Sequence, residues 1–177
     1  GGVGRWVLTG VSSYTGDTTI SSGTLAIGGS GQLGGGSYAG AIANAGALVV
    51  ETSANQTLSG TVSGVGTLSK SGAGALTLTA ANTFSGGTRI DAGTLSFASG
   101  GLGSTGNVTL AGGVLQWASG NTQDISSRLT LVSASTGTLD TNGNNLTLAS
   151  GIGGGTSGGL TKTGAGRLTL TGSSGYS

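Results

Sequence analysis

The sequence predicts an all-β chain built as a parallel β-helix, a solenoid of short strands stacked coil upon coil. Three observations carry that prediction. Proline is absent from all 177 residues, and in a stacked parallel ladder nearly every strand must donate backbone N–H groups that proline lacks. Hairpin dipeptides between equal strands are missing apart from Asn142-Gly143. Similar apolar residues also recur at similar places, as coils that sit over one another require.

The elements follow in chain order. Residues 4–27, GRWVLTGVSSYTGDTTISSGTLAI, return at residues 74–97 as GALTLTAANTFSGGTRIDAGTLSF, an offset of 70. Gly4, Leu8, Thr9, Gly16, Thr18, Ile20, Gly23, Thr24 and Leu25 fall on identical residues, and Trp6, Tyr14 and Ile27 fall on Leu76, Phe84 and Phe97. An offset of 92 lays LSKSGAGALTLT at residues 68–79 onto LTKTGAGRLTLT at residues 160–171, with Tyr176 in the place of Phe84. Repeat units therefore stand near 4–27, 64–97 and 158–177 of a single segment, 1–177. Between them the chain still alternates, at Ile42/Leu48/Val50, Val108/Leu110, Leu115/Trp117, Leu129/Leu131 and Leu146/Leu148. Period-two alternation with threonine on the other face marks half-buried strands. Glycine, asparagine and serine clusters end each strand after a few residues. At twenty-odd residues per coil the chain makes roughly eight coils, a rod on the order of 40 Å long at the usual strand spacing. Leu8, Leu78 and Leu170 are expected to point into the coil.

Composition narrows the function classes. Glycine fills 41 positions, which alone suggests a flexible chain. Charged residues are only 6%, however, and the apolar 34% is regularly placed, so the chain has the means to fold. A net charge of +1 gives no footprint for nucleic acid. There is no cysteine, hence no disulfide or thiolate chemistry. No apolar run approaches the roughly twenty residues that span a bilayer. The opening Gly1-Gly2-Val3-Gly4 lacks the pattern of a signal peptide, and the sequence reads as a segment of something longer.

The pattern GxGxLxKxGxGxLTLTxxNxFSGGTxIxxGTLxF resembles the passenger-associated transport repeat of bacterial autotransporters, the type V secreted proteins. The residues that carry it are Gly64, Gly66, Leu68, Lys70, Gly72, Gly74, Leu76-Thr77-Leu78-Thr79, Asn82, Phe84-Ser85-Gly86-Gly87-Thr88, Ile90 and Gly93-Thr94-Leu95. The resemblance implies a right-handed parallel β-helix, exported through the outer membrane of a Gram-negative cell and displayed at its surface or released.

Catalytic chemistry finds little to use. Histidine and cysteine are absent, and the acids are Asp17, Glu51, Asp91, Asp124 and Asp140. Glycoside hydrolysis needs two carboxyls roughly 5–10 Å apart across a cleft, and no acid cluster is visible, so the acids read as solvated turn residues. Asp17 falls opposite Gly87 and Asp91 opposite Ser21, so neither recurs as a repeated calcium site would demand. No enzyme activity, cofactor or metal is expected. Gly72-Ala73-Gly74 and Gly164-Ala165-Gly166 read as coil corners, since a phosphate loop would need Gly-Lys-Ser/Thr and a following helix. Lys70, Lys162, Arg5 and Arg167 recur between copies and read as cations on a solvated sheet face, with an acidic glycan as their conceivable partner. Trp6 and Trp117 read as core residues. Tyr14, Phe84 and Tyr176 share one slot and are expected to stack or seal a corner, and Tyr38 is the candidate for an exposed aromatic contact. The reading that follows is a structural rod, stalk or fibre segment, its partners being neighbouring coils or other copies stacked head to tail. The alternative is an adhesin that binds a glycan or itself through Thr/Ser/Asn-rich faces; a solvent-exposed aromatic pair or a concave polar groove would favour it, and smooth faces would favour the rod.

Overall fold

The computed structural model describes residues 3–154 and 158–174, and they form a parallel β-solenoid of about eight turns. Two sheets run its length. Arg5–Leu8, Thr24–Ile27, Ala47–Val50, Thr67–Lys70, Thr88–Ile90, Val108–Leu110, Leu129–Leu131 and Gly153–Gly154 stack as eight strands on one side. Ser37–Tyr38, Gln56–Leu58, Ala75–Leu78, Thr94–Phe97, Val114–Trp117, Thr136–Asp140 and Gly159–Thr163 stack as seven on the next. The third side is interrupted. Thr18–Ile20, Ile42–Asn44 and Val62–Ser63 form one sheet there, and Leu146–Leu148 pairs with Leu168–Leu170 at the same stage of later coils. Every strand pairing is parallel, and the paired residues lie about twenty positions apart, from Ala75 with Thr94 to Val114 with Thr138.

Alternation decides which side chains fill the tube. On the eight-stranded sheet the column Leu48, Leu68, Thr88, Val108, Leu129 points inward, as does Ile27, Val50, Lys70, Ile90, Leu110, Leu131. On the seven-stranded sheet Tyr38, Leu58, Leu78, Phe97 and Trp117 form an inward column beside Leu76, Leu95, Leu115 and Leu139. Apolar side chains meet apolar ones at most rungs, Thr88, Lys70 and Gln56 being the polar members, and Phe97 and Trp117 are in ring contact at 5.2 Å. Each coil lacks a core of its own and buries its apolar face only against its neighbours.

The repeat acquires a structural meaning here. In the first copy Arg5–Leu8 pairs with Thr24–Ile27, and in the second Ala75–Leu78 pairs with Thr94–Phe97. One copy is thus a whole coil whose two ends stack on each other, Trp6 on Leu25 and Leu76 on Leu95. The copies themselves do not lie in one line. The first opens on the eight-stranded sheet, the second on the seven-stranded sheet and the third on the remaining side, because 70 and 92 residues are not whole numbers of coils.

Candidate interaction surface

The corners hold the coils together through polar side chains that alternation alone does not reveal. Asn82, the asparagine of the repeat, accepts from the Val62 N–H at 2.7 Å and donates to the Gly101 carbonyl at 2.7 Å, bridging the coils on either side. Asn44 accepts from Gly46 N–H and donates to the Thr67 carbonyl, and Asn121 and Asn144 make equivalent pairs of bonds. All four are buried and satisfied, as buried amides must be if they are not to cost stability.

Lys70 overturns the expectation of a solvated cation. It is 0% exposed, inward in an aliphatic column, and its ammonium donates to the Gly72 carbonyl and, at 3.2 Å, to the Ala92 carbonyl of the next coil. Gly93 is required beside it. Its φ is +66°, and a Cβ there would run into the Lys70 ammonium and the Gly72 carbonyl. Lys162 occupies the matching inward position above Leu139 and donates to the Gly164 carbonyl at 2.6 Å, but it stands exposed, with no coil above it among the described residues.

Tyr38 also departs from expectation. It is 1% exposed, and its hydroxyl donates to the Gly16 carbonyl and bonds Thr18 Oγ1 at 2.7 Å. The partner that buries it, Leu58, lies twenty residues on and is invisible to local reading. Trp6 keeps the inward register but is 77% exposed, because Arg5–Leu8 is the outermost strand and nothing covers it among the described residues. With Leu8, Ile20, Leu25 and Tyr14 it lines a hollow of about 440 Å³ at that end. Tyr14 packs on Tyr38 at 5.4 Å rather than on Phe84, which is buried separately, and Tyr176 lies outside the described residues. Trp117 is buried as expected and donates to the Gln123 carbonyl at 2.9 Å. The five acids are exposed or half-buried and scattered, and no group of three potential metal ligands occurs among the described residues. Arg5 pairs with Glu51 at 2.5 Å and Arg89 with Asp91 at 2.8 Å. Arg167 is exposed, and its own N–H donates to the Asn145 side chain.

Two buried groups make stability depend on alkaline pH in opposite senses. Burial holds the Lys70 ammonium down to about 8, whereas an unfolded lysine ionises near 10.4. From pH ~8 to ~10.4 the unfolded chain binds more protons, so folding is increasingly favoured as pH rises. Burial pushes the Tyr38 hydroxyl up to about 12, against an opposing hydrogen bond from Thr18. An unfolded tyrosine ionises near 10, so between pH ~10 and ~12 the folded chain holds the extra proton and stability falls. The melting temperature is expected to climb above pH 8, peak near pH 10 and then drop. Lys70→Met should abolish the climb and leave the drop; a flat profile in the parent chain would refute this assignment.

One indentation lies on the outer face of the eight-stranded sheet. By the register of Leu68, Thr88 and Val108, the outward neighbours Thr67, Gly87 and Asn107 form a column in which the middle member has no side chain. The gap is a notch of about 340 Å³, bounded by Ser69, Arg89 and Thr109 along its other edge.

A parallel β-solenoid with a motif that closes one coil defines a class, the repeat solenoids. The comparison with known families sharpens it: residues 1–27, 68–97 and 160–177 match the family described as passenger-associated-transport-repeat. The repeat and the solenoid together fit an autotransporter passenger domain, and the repeat implies a secreted, surface-exposed protein of a Gram-negative bacterium. No curated protein and no solved structure matches the chain.

Proposed function

We propose that the chain is a length of structural shaft in such a passenger, continued beyond both ends by further coils of the same chain or by other copies stacked head to tail. Its role is to supply reach and stiffness, and no catalysis, cofactor or metal belongs to it. One observation carries the reading: the end strands place inward-type side chains where no coil covers them among the described residues. Trp6 is exposed at one end, and Lys162 and Leu170 at the other. Lys162 stands where a neighbouring coil would offer the carbonyl that Ala92 offers Lys70. Exposed strand edges template further pairing unless they are blocked, and an end-to-end contact between unlike surfaces does not close. The isolated 177-residue chain is therefore expected to associate in a concentration-dependent way by light scattering. A concentration-independent monomer whose two end coils are both protected from hydrogen exchange would overturn the proposal. The adhesin reading draws support from the exposed Trp6 and Tyr14 beside the end hollow and from the shallow polar groove beside Gly87.

A further inference from the structure

We propose that Asn142 is a site of spontaneous covalent modification, and that the coil stacked above it holds its conversion to aspartate or isoaspartate in check. The inference goes beyond the shaft reading and does not depend on it, since the reaction takes place within one chain. Asn142 alone among the chain's asparagines is followed by glycine. With no side chain on Gly143, nothing hinders its backbone nitrogen from reaching the Asn142 side-chain carbonyl carbon. That nitrogen gives up its proton and bonds Cγ, while the side-chain nitrogen leaves as ammonia. Water then opens the resulting succinimide at either carbonyl, leaving aspartate or isoaspartate and one new negative charge. One water is consumed and one ammonia released, with no oxidant or cofactor.

The turn is exposed, yet it is tied from both sides. Asn142 and Gly143 form its tip, at φ of +47° and +85°, and both face solvent. The reacting groups are bonded to different coils. Asn142 Nδ2 donates to the Trp117 carbonyl of the coil below at 3.1 Å, and the Gly143 N–H donates to the Ala165 carbonyl of the coil above at 2.8 Å. The Gly143 nitrogen can turn toward Cγ only when its bond to Ala165 is broken. Ala165 belongs to the last described coil, whose strands Gly159–Thr163 and Leu168–Leu170 have a neighbour on one side only among the described residues. Units at the end of a stack open most readily, because they have fewer neighbours to lose. Opening of that coil is therefore the step that releases Gly143.

The product works against reclosure. Asp140 Oδ1 accepts from the Asn142 N–H at 2.9 Å, and its Oδ2 accepts from Gln116 at 2.8 Å. A carboxylate at position 142 stands beside that carboxylate, and it turns an acceptor toward the Trp117 carbonyl where a donor had been. Both contacts are repulsive. Isoaspartate also lengthens the backbone by one methylene at a corner that is already tight. There a Cβ on Gly164 would run into Asp140 Oδ1 and the Asn142 nitrogen. Opening permits the reaction, and the reaction keeps the coil open. The pair is an irreversible mark on a solenoid whose end has frayed.

The experiment follows loss of the Asn142 amide by peptide mass spectrometry in mildly alkaline buffer. It compares the dilute, folded 177-residue chain with a peptide of residues 139–146. The folded chain should react about tenfold more slowly than the peptide, or slower still, because it must first open. Leu168→Ala, a change to a half-buried residue of the end coil, should raise the rate in the folded chain severalfold. Hydrogen exchange at residues 67–70 should stay as it was, which shows that the rest of the stack is intact. Asn142→Asp, a stand-in for the product, should speed hydrogen exchange at residues 159–170. Equal rates in the folded chain and the peptide would overturn the proposal, as would a rate that Leu168→Ala leaves unchanged. Unaltered exchange at residues 159–170 in Asn142→Asp would overturn the claim that the product holds the coil open.

Discussion

Aspartate in place of Leu78 unfolds the chain, and aspartate in place of Thr77, one residue away, does not. Leu78 is wholly buried in the column between Leu58 and Phe97. Shortening a buried leucine costs about 2–5 kcal/mol through lost burial and the cavity left behind. A carboxylate in that place adds an unpaired charge among aliphatic and aromatic groups. Together these reach the ~5–15 kcal/mol that typically holds a domain folded. Thr77 sits on the other face of the same strand, half-buried between Thr57 and Ser96. There the cost is confined to β-propensity and neighbour contacts, about 1 kcal/mol or less. Circular dichroism and urea titration of the two variants decide the matter. Equal tolerance of both would mean the strand register is wrong.

Parity makes that contrast legible in the sequence, because one face of a strand follows from the other. Leu76 and Leu78 fix each other, and the same holds at Leu129/Leu131 and Leu146/Leu148, all buried. Parity also holds the answer for Lys70: Leu68 points inward, so the residue two places on must as well. A cation's usual preference for water obscures that signal. Local reading cannot place Trp6, because its register is inward and only the lack of a covering coil exposes it. Nor can it place Tyr38, whose burial depends on a strand twenty residues away. The notch at Gly87 needs three coils in register at once. A glycine reads as a corner until Thr67 and Asn107 are seen on either side of it.

The same arithmetic of coils yields a second large effect, in which the smaller deletion does the greater harm. Removing residues 68–87 takes out one whole coil and joins Thr67 to Thr88. Thr88 then replaces Leu68 over Leu48, and Ile90 replaces Lys70 over Val50. Further along, Leu95 replaces Leu76 over Gln56, and Phe97 replaces Leu78 over Leu58. Every inward column closes on an inward residue, so the shortened solenoid loses nearest-neighbour contacts of one coil and keeps the rest. Removing only residues 68–77 leaves ten residues that cannot complete a turn. If they enter the stack, each later strand arrives on the wrong side, and Gly86 and Gly87 take the places of Leu76 and Thr77 in the middle of a face. The alternative is to expel residues 78–87 as a loop, which yields the same shortened solenoid. That loop costs roughly 2–3 kcal/mol of chain entropy and leaves Leu78 and Phe84 in water. The twenty-residue deletion is therefore expected to melt within several degrees of the parent and to resist protease. The ten-residue deletion should melt lower and be cut between residues 78 and 87. A ten-residue deletion as stable as the twenty-residue one would show that stability here does not depend on whole coils.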